Sequence, residues 1–138
     1  MTAKEYLLQI HFMDIHIGQR VTQLQQMRDR VRIMESFDYS KDRVQSTPTS
    51  GNKQIEDIVD LENEIKALIE NEQNLKHKII SEIQTLADAN YVEILYRRYV
   101  EMQTFEQISC DLNYAYHYVC TLHGEALKEF SNNVLNFS

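Results

Sequence analysis

Residues 90–130 read NYVEILYRRYVEMQTFEQISCDLNYAYHYVCTLHGEALKEF, and the reading of this stretch decides the fold. Three short helical patterns are separated by tight breaks. Asp88 and Asn90 are candidate N-caps for the first, which runs to Glu101 with Val92, Leu95, Tyr96 and Tyr99 inward. After Met102 and Gln103, Thr104 is a good N-cap, and Gln107 three residues on completes a capping box. Phe105, Ile108 and Leu112 then give the i, i+3, i+7 stripe of a short scaffold helix. Ser109 faces a tight helix crossing. Asn113 stands where the chain must turn left-handed, which Asn tolerates better than most residues with a Cβ. Asn113, Tyr114 and Ala115 make the turn. The last helix opens at Tyr116 and runs to about Phe130, burying Val119, Leu122, Ala126 and Leu127, with Phe130 as a candidate extension. This is helix-turn-helix spacing, the arrangement that presents a helix to a DNA groove.

Outward from this motif, the N-terminal half has a different period. Thr2 and Glu5 have the form of a capping box, and a helix is predicted over residues 2–35. Ile10, Ile17, Leu24 and Val31 fall seven residues apart; Tyr6, Met13, Met27 and Met34 occupy the companion positions, with Arg20 interrupting. Leu7 and Val21 widen the stripe on one side, and Gly18 is its soft point. A second long helix is predicted over residues 54–86. Ile58, Leu61, Ile65, Leu68, Leu75, Ile79 and Leu86 hold the spacing, Glu72 and Glu82 interrupt it, and Ile55, Ile69 and Ile83 broaden the face. Between them, residues 36–53 collect Ser, Thr, Pro, Gly and Asn and are predicted as a long loop.

Two matched helices, each with one apolar stripe, imply an antiparallel pair. The expected fold is therefore all-α: a long, coiled-coil-like antiparallel hairpin over residues 1–88, then a compact three-helix helix-turn-helix module over 89–131 and a frayed tail over 132–138. A two-helix hairpin leaves part of each helix open, so a homodimer is a candidate assembly. Ile10, Ile17, Leu24, Val31, Leu61, Leu68 and Leu75 are its candidate interface.

Composition narrows the function classes. Three Gly and one Pro are few for a β-rich chain. The net charge of −7 has the wrong sign for a chain whose whole surface binds nucleic acid. It suits a protein-binding chain, or one that meets DNA through a local patch. Cys110 and Cys120 lack metal-ligand spacing and read as reduced thiols. The expectation is a cytoplasmic protein of a bacterial host cell, without a membrane span, cofactor or metal. No Gly-rich phosphate loop, nucleophile motif or His–carboxylate cluster supports an enzyme.

Residues 91–130 resemble region 4 of sigma-70-type transcription initiation factors, carried by Arg98–Tyr99, Thr104, Glu106, Ile108, Ser109 and Leu112, then Val119, Ala126 and Leu127 at ungapped spacing. The whole chain also resembles a family of small prophage-encoded proteins of Gram-positive bacteria, grouped with RinA- and ArpU-like late-gene regulators. MTAKEYL at 1–7, DRVQS at 42–46 and LHGEAL at 122–127 carry that likeness.

The resemblance implies a phage transcription regulator whose partners are promoter DNA, host RNA polymerase, or both. It places DNA contact at Tyr116, His117, Cys120 and Thr121. Arg97 and Arg98, an adjacent basic pair, are candidates for phosphate contact. Where sigma-like recognition helices carry Arg, Lys, Glu or Gln, this one offers two rings, a thiol and a hydroxyl. Residues 90–138 hold three basic and six acidic side chains, so DNA affinity from counterion release is expected to be weak or to need assistance. The alternative reading is a protein-interaction adaptor that never reads DNA. Tyr114, Tyr116 and Tyr118 lean toward it, since Tyr is enriched at protein interfaces.

Overall fold

The computed structural model describes residues 1–40 and 48–135, and these are all-α, without a strand. The helices are α1 (Ala3–Leu7), α2 (Gln9–Ser40), α3 (Pro48–Ile83), α4 (Ala89–Leu95), α5 (Phe105–Leu112) and α6 (Tyr116–Asn133), with a π-helical turn, Tyr96–Val100, continuing α4. None is long and apolar enough to cross a membrane.

Several expected boundaries shift. The capping box of Thr2 and Glu5 forms, but the first helix is interrupted at Leu8, where ψ opens to −10°. Gly18 does not break α2. The predicted loop over 36–53 contracts from both sides, since α2 continues to Ser40 and α3 already starts at Pro48. A proline in the first turn suits a helix start, because its missing N–H has no partner to lose there. The DRVQS motif at 42–46 falls outside the described residues. At the C-terminus, Val134 and Leu135 of the predicted tail pack against the core.

Contacts divide the chain into two units. The first comprises Met1–Met13 and Glu72–Ser138, the second Asp14–Asn71. In the first unit, the helix-turn-helix is not built from α4–α6 alone. Ala3, Leu7 and Ile10 join Ile79, Ile83 and Leu86, then Leu95, Tyr99 and Val100, and finally Ala126 and Phe130 in one buried cluster. The hydroxyl of half-buried Tyr6 donates to the Glu82 carboxylate, and its ring lies 5.9 Å from that of Phe130. Burial and that carboxylate together raise the Tyr6 pKa well above its ordinary value.

A smaller cluster holds the helix-turn-helix itself. Ile94 of α4, Ile108 of α5, and Val119 and Leu122 of α6 are buried together, flanked by Tyr91, Phe105, Leu112 and Tyr114. The stripes expected for α5 and α6 thus meet on α4, although Leu127 is only half-buried and Phe130 takes the deeper place.

The π-helical turn has a packing reason. The buried positions come in pairs five apart, Ile94–Leu95 and Tyr99–Val100. In an α-helix, residues five apart diverge by roughly 140°. A π turn closes i→i+5 bonds and brings them back to one side. The Glu101 N–H donates to the Tyr96 carbonyl at 3.1 Å, and the Gln103 N–H to Arg97 at 2.9 Å. Met102 exits at a φ of 59°, an unexpected left-handed residue. The N-cap of α4 is Asp88, whose carboxylate accepts from the Asn90 N–H at 2.8 Å.

The second unit is simpler. Leu24, Leu61 and Ile65 are its buried cluster, with Met27 and Ile58 packed at the margin. Arg28 pairs with Glu62 at 2.8 Å and Arg20 with Glu64 at 4.0 Å, joining α2 to α3 within this unit.

Candidate nucleic-acid interface

The motif forms at the residues where its chemistry points. Thr104 Oγ1 accepts from the Gln107 N–H at 3.2 Å, and Gln107 Oε1 accepts from the Thr104 N–H at 2.8 Å. This reciprocal cap satisfies donors that a helix start would otherwise leave open. Thr104→Ala is expected to lower stability by about 1 kcal/mol in urea titration. Asn113 is left-handed, with φ 58° and ψ 42°, and ends α5. The hydroxyl of Ser109 donates to the Tyr114 carbonyl at 2.6 Å, so this small residue also closes the turn. Tyr114 in turn donates to Asn90 Oδ1 at 3.3 Å, and Tyr91 to Glu125 at 3.0 Å, fastening α4 to the turn and to α6. The Glu125 carboxylate raises the pKa of Tyr91.

α6 begins at Tyr116 behind Ala115, which makes no side-chain cap. Tyr116, His117 and Thr121 are exposed, and Cys120 is half-buried. The Thr121 hydroxyl donates to the His117 carbonyl at 3.1 Å. The Cys120 thiol, one turn along the helix, raises the Tyr116 pKa. Of the four candidate side chains, that of Thr121 is thus hydrogen-bonded within its own helix. Exposed Tyr118 has its ring edge-on to Tyr114, with centroids 5.2 Å apart. The outward chemistry of this helix start is aromatic, without Lys, Arg, Asp or Glu between Tyr116 and Thr121.

Arg97 and Arg98 are half-buried and committed elsewhere. Arg97 pairs with Glu93 and, at 3.2 Å, with Asp111 of α5. The bond to Glu93 leads the causes that raise its pKa. Arg98 donates to the Gln103 carbonyl at 3.0 Å and lies 4.7 Å from the centroid of the Phe105 ring. Arg98 holds the π turn against the start of α5, and Arg97 ties it to Asp111 near that helix's end. The pairing of Arg97 had a local sign, because Glu93 lies four residues before it. The bonds to Asp111 and Gln103 depend on the turn and had none.

A cluster centred on His123 completes the site's support. Its Nε2 lies 2.7 Å from the Tyr99 hydroxyl, and its ring is 4.8 Å from the Phe105 centroid. Burial, with Arg98 and then Lys4 adding positive charge, lowers the His123 pKa to about 4. The ring is therefore neutral near pH 7, and its tautomer sets which of Nε2 and the Tyr99 hydroxyl donates. Burial raises the Tyr99 hydroxyl to about 12, so it keeps its proton.

Three of the seven predicted interface residues are buried within the chain. Ile10 is fully buried in the first unit, Leu24 and Leu61 are buried in the second, and Ile17, Val31, Leu68 and Leu75 are half-buried. Among the described residues no group of three or more His, Cys, Asp or Glu side chains is placed to hold a metal ion. Comparison with family models, curated proteins and solved structures finds no match for this chain.

Proposed function

We propose that this chain is a phage transcription regulator that docks through the first half of α6, at promoter DNA held together with host RNA polymerase. The observation that carries the reading is the helix-turn-helix geometry. A capped scaffold helix, a left-handed Asn113 and an α6 buried at Val119, Leu122, Ala126 and Phe130 leave Tyr116, His117 and Thr121 outward. The phage and polymerase parts rest on the sequence resemblance to sigma region 4 and to the prophage family.

The engagement of Arg97 and Arg98 favours assisted over autonomous DNA binding. Each phosphate contact calls for a cation, and both arginines already have partners. The same observation, with the exposed Tyr116 and Tyr118, favours a second reading in which the module is a protein adaptor.

Mobility shift with the late-promoter region separates the two. The regulator reading expects a weak complex at low salt that strengthens when polymerase is added. Retained polymerase binding with no shift at low salt, alone or with polymerase, would leave the adaptor.

A further inference from the structure

From Tyr99 to Leu127 the chain has no lysine or arginine. α5, the turn and the first half of α6 thus hold no cation of their own, and Arg97 and Arg98 of the π turn are bonded to them from outside. Arg98 is turned onto the Phe105 ring and the Gln103 carbonyl. Arg97 keeps 23 % of its side chain exposed and reaches Asp111 at 3.2 Å and the Gln103 side chain at 3.5 Å.

Those two partners place Arg97 at the edge of the docking surface. Gln103 and Asp111 line a shallow cleft of about 320 Å³ along α5, together with Glu106, Gln107 and Cys110. The charge of Glu106 adds, after the Cys120 thiol and burial, to the raised pKa of Tyr116, so the cleft adjoins the start of α6. One surface therefore runs from Arg97 along α5 to Tyr116.

On this surface Arg97 already holds the ligand that DNA would offer it. Its guanidinium is bonded by the carboxylates of Glu93 and Asp111, whose side chains are 46 % and 49 % exposed. A phosphate oxygen makes the same charge-assisted bond to a guanidinium. Two carboxylates tethered beside the arginine act at a high effective concentration, which a freely diffusing duplex does not match. We propose that Glu93 and Asp111 form an autoinhibitory clamp: they occupy Arg97 in place of a backbone phosphate and keep the α5–α6 surface from holding DNA unaided. DNA held alongside by a partner reaches a comparable local concentration and displaces them. The clamp rests on the reading of α6 as the docking surface, and it supplies a reason why that surface needs polymerase.

The test is fluorescence anisotropy of the full chain with a labelled duplex of unrelated sequence, without polymerase, over a range of salt. Glu93→Gln with Asp111→Asn removes both charges. The amides still accept from Arg97, which preserves the fastening of the motif, but a charged phosphate outcompetes them; urea titration checks the fold. This variant is expected to bind at least ten-fold more tightly at low salt, as for one charge-assisted contact. Its log–log salt slope should steepen by about 0.9, as for one phosphate contact. Adding Arg97→Gln should abolish the gain. Glu56→Gln with Glu70→Gln, two exposed positions on α3, changes the net charge equally and should give only a small part of it. No gain, a gain equal to that of the α3 control, or a gain that survives Arg97→Gln would overturn the clamp. Phosphate contacts carry no sequence information, so the promoter preference assigned to α6 is read separately, with the natural protein and polymerase. Loss of that preference with the gain intact would remove the docking reading and not the clamp on Arg97.

Discussion

Phe130→Ala is expected to lower the unfolding free energy by about 3–5 kcal/mol, the range for removing a fully buried aromatic ring. Phe130 has no exposed surface, and its cluster includes side chains from α1, the end of α3, the π turn and α6. Its loss opens a cavity where four chain segments meet. α1 is only five residues long and is fixed by Ala3, Leu7 and the Tyr6 contacts. So short a helix has little stability of its own and cannot collapse productively into the gap. Urea titration should show a lower midpoint with a similar slope, and amide exchange should show α1 losing protection first. A loss below about 1 kcal/mol would mean that the N-terminal residues are not part of this core.

The second large effect is acid sensitivity at His123. Its pKa is about 4 in the folded chain against an ordinary 6.5, with burial as the leading cause and Arg98 and Lys4 adding to it. Below pH 6.5 the unfolded chain takes up this proton more readily than the folded one. Stability from this group is therefore unaffected above about pH 6.5, falls as the pH drops toward 4, and levels off below that. Full burial would give a loss of about 3 kcal/mol, and the partial exposure of the ring brings the expectation to about 2 kcal/mol. Other groups titrate in the same window, so the informative quantity is the difference between the natural protein and His123→Gln. The natural protein should lose more stability between pH 7 and pH 4.5. Parallel curves would remove His123 as the cause.

Local chemistry made much of the helix-turn-helix legible. Thr104 with Gln107, Asn113 and the stripe of α6 each state their conformation within a few residues. Longer-range demands explain what was missed. The π turn arises because Ile94–Leu95 and Tyr99–Val100 all need cover, a spacing of five that was visible but does not fit an α-helical stripe. Met102 turns left-handed because the chain must leave that turn and place Thr104 at a helix start, and nothing in a methionine announces it. The limits of α2 and α3 were misplaced because Ser, Thr and Gly signal a loop only where neighbouring turns do not extend through them.

The candidate site was legible in outline and not in chemistry. Exposure of Tyr116, His117 and Thr121 follows from the period of α6. The engagement of Arg98 with Gln103 and Phe105 follows only from the turn between α4 and α5. A basic pair that looks available in sequence is thereby converted into a fastening of the motif. What remains outward is suited to ring contacts and to a partner that contributes its own affinity.

The most direct measurement compares binding to promoter and unrelated DNA in the presence of polymerase, for the natural protein and for Tyr116→Ala with His117→Ala. If the first half of α6 is the docking surface, the double variant keeps its fold and its non-specific binding, and the preference for promoter DNA falls about ten-fold, as expected for losing one or two base contacts. An unchanged preference would place the docking surface elsewhere on the chain.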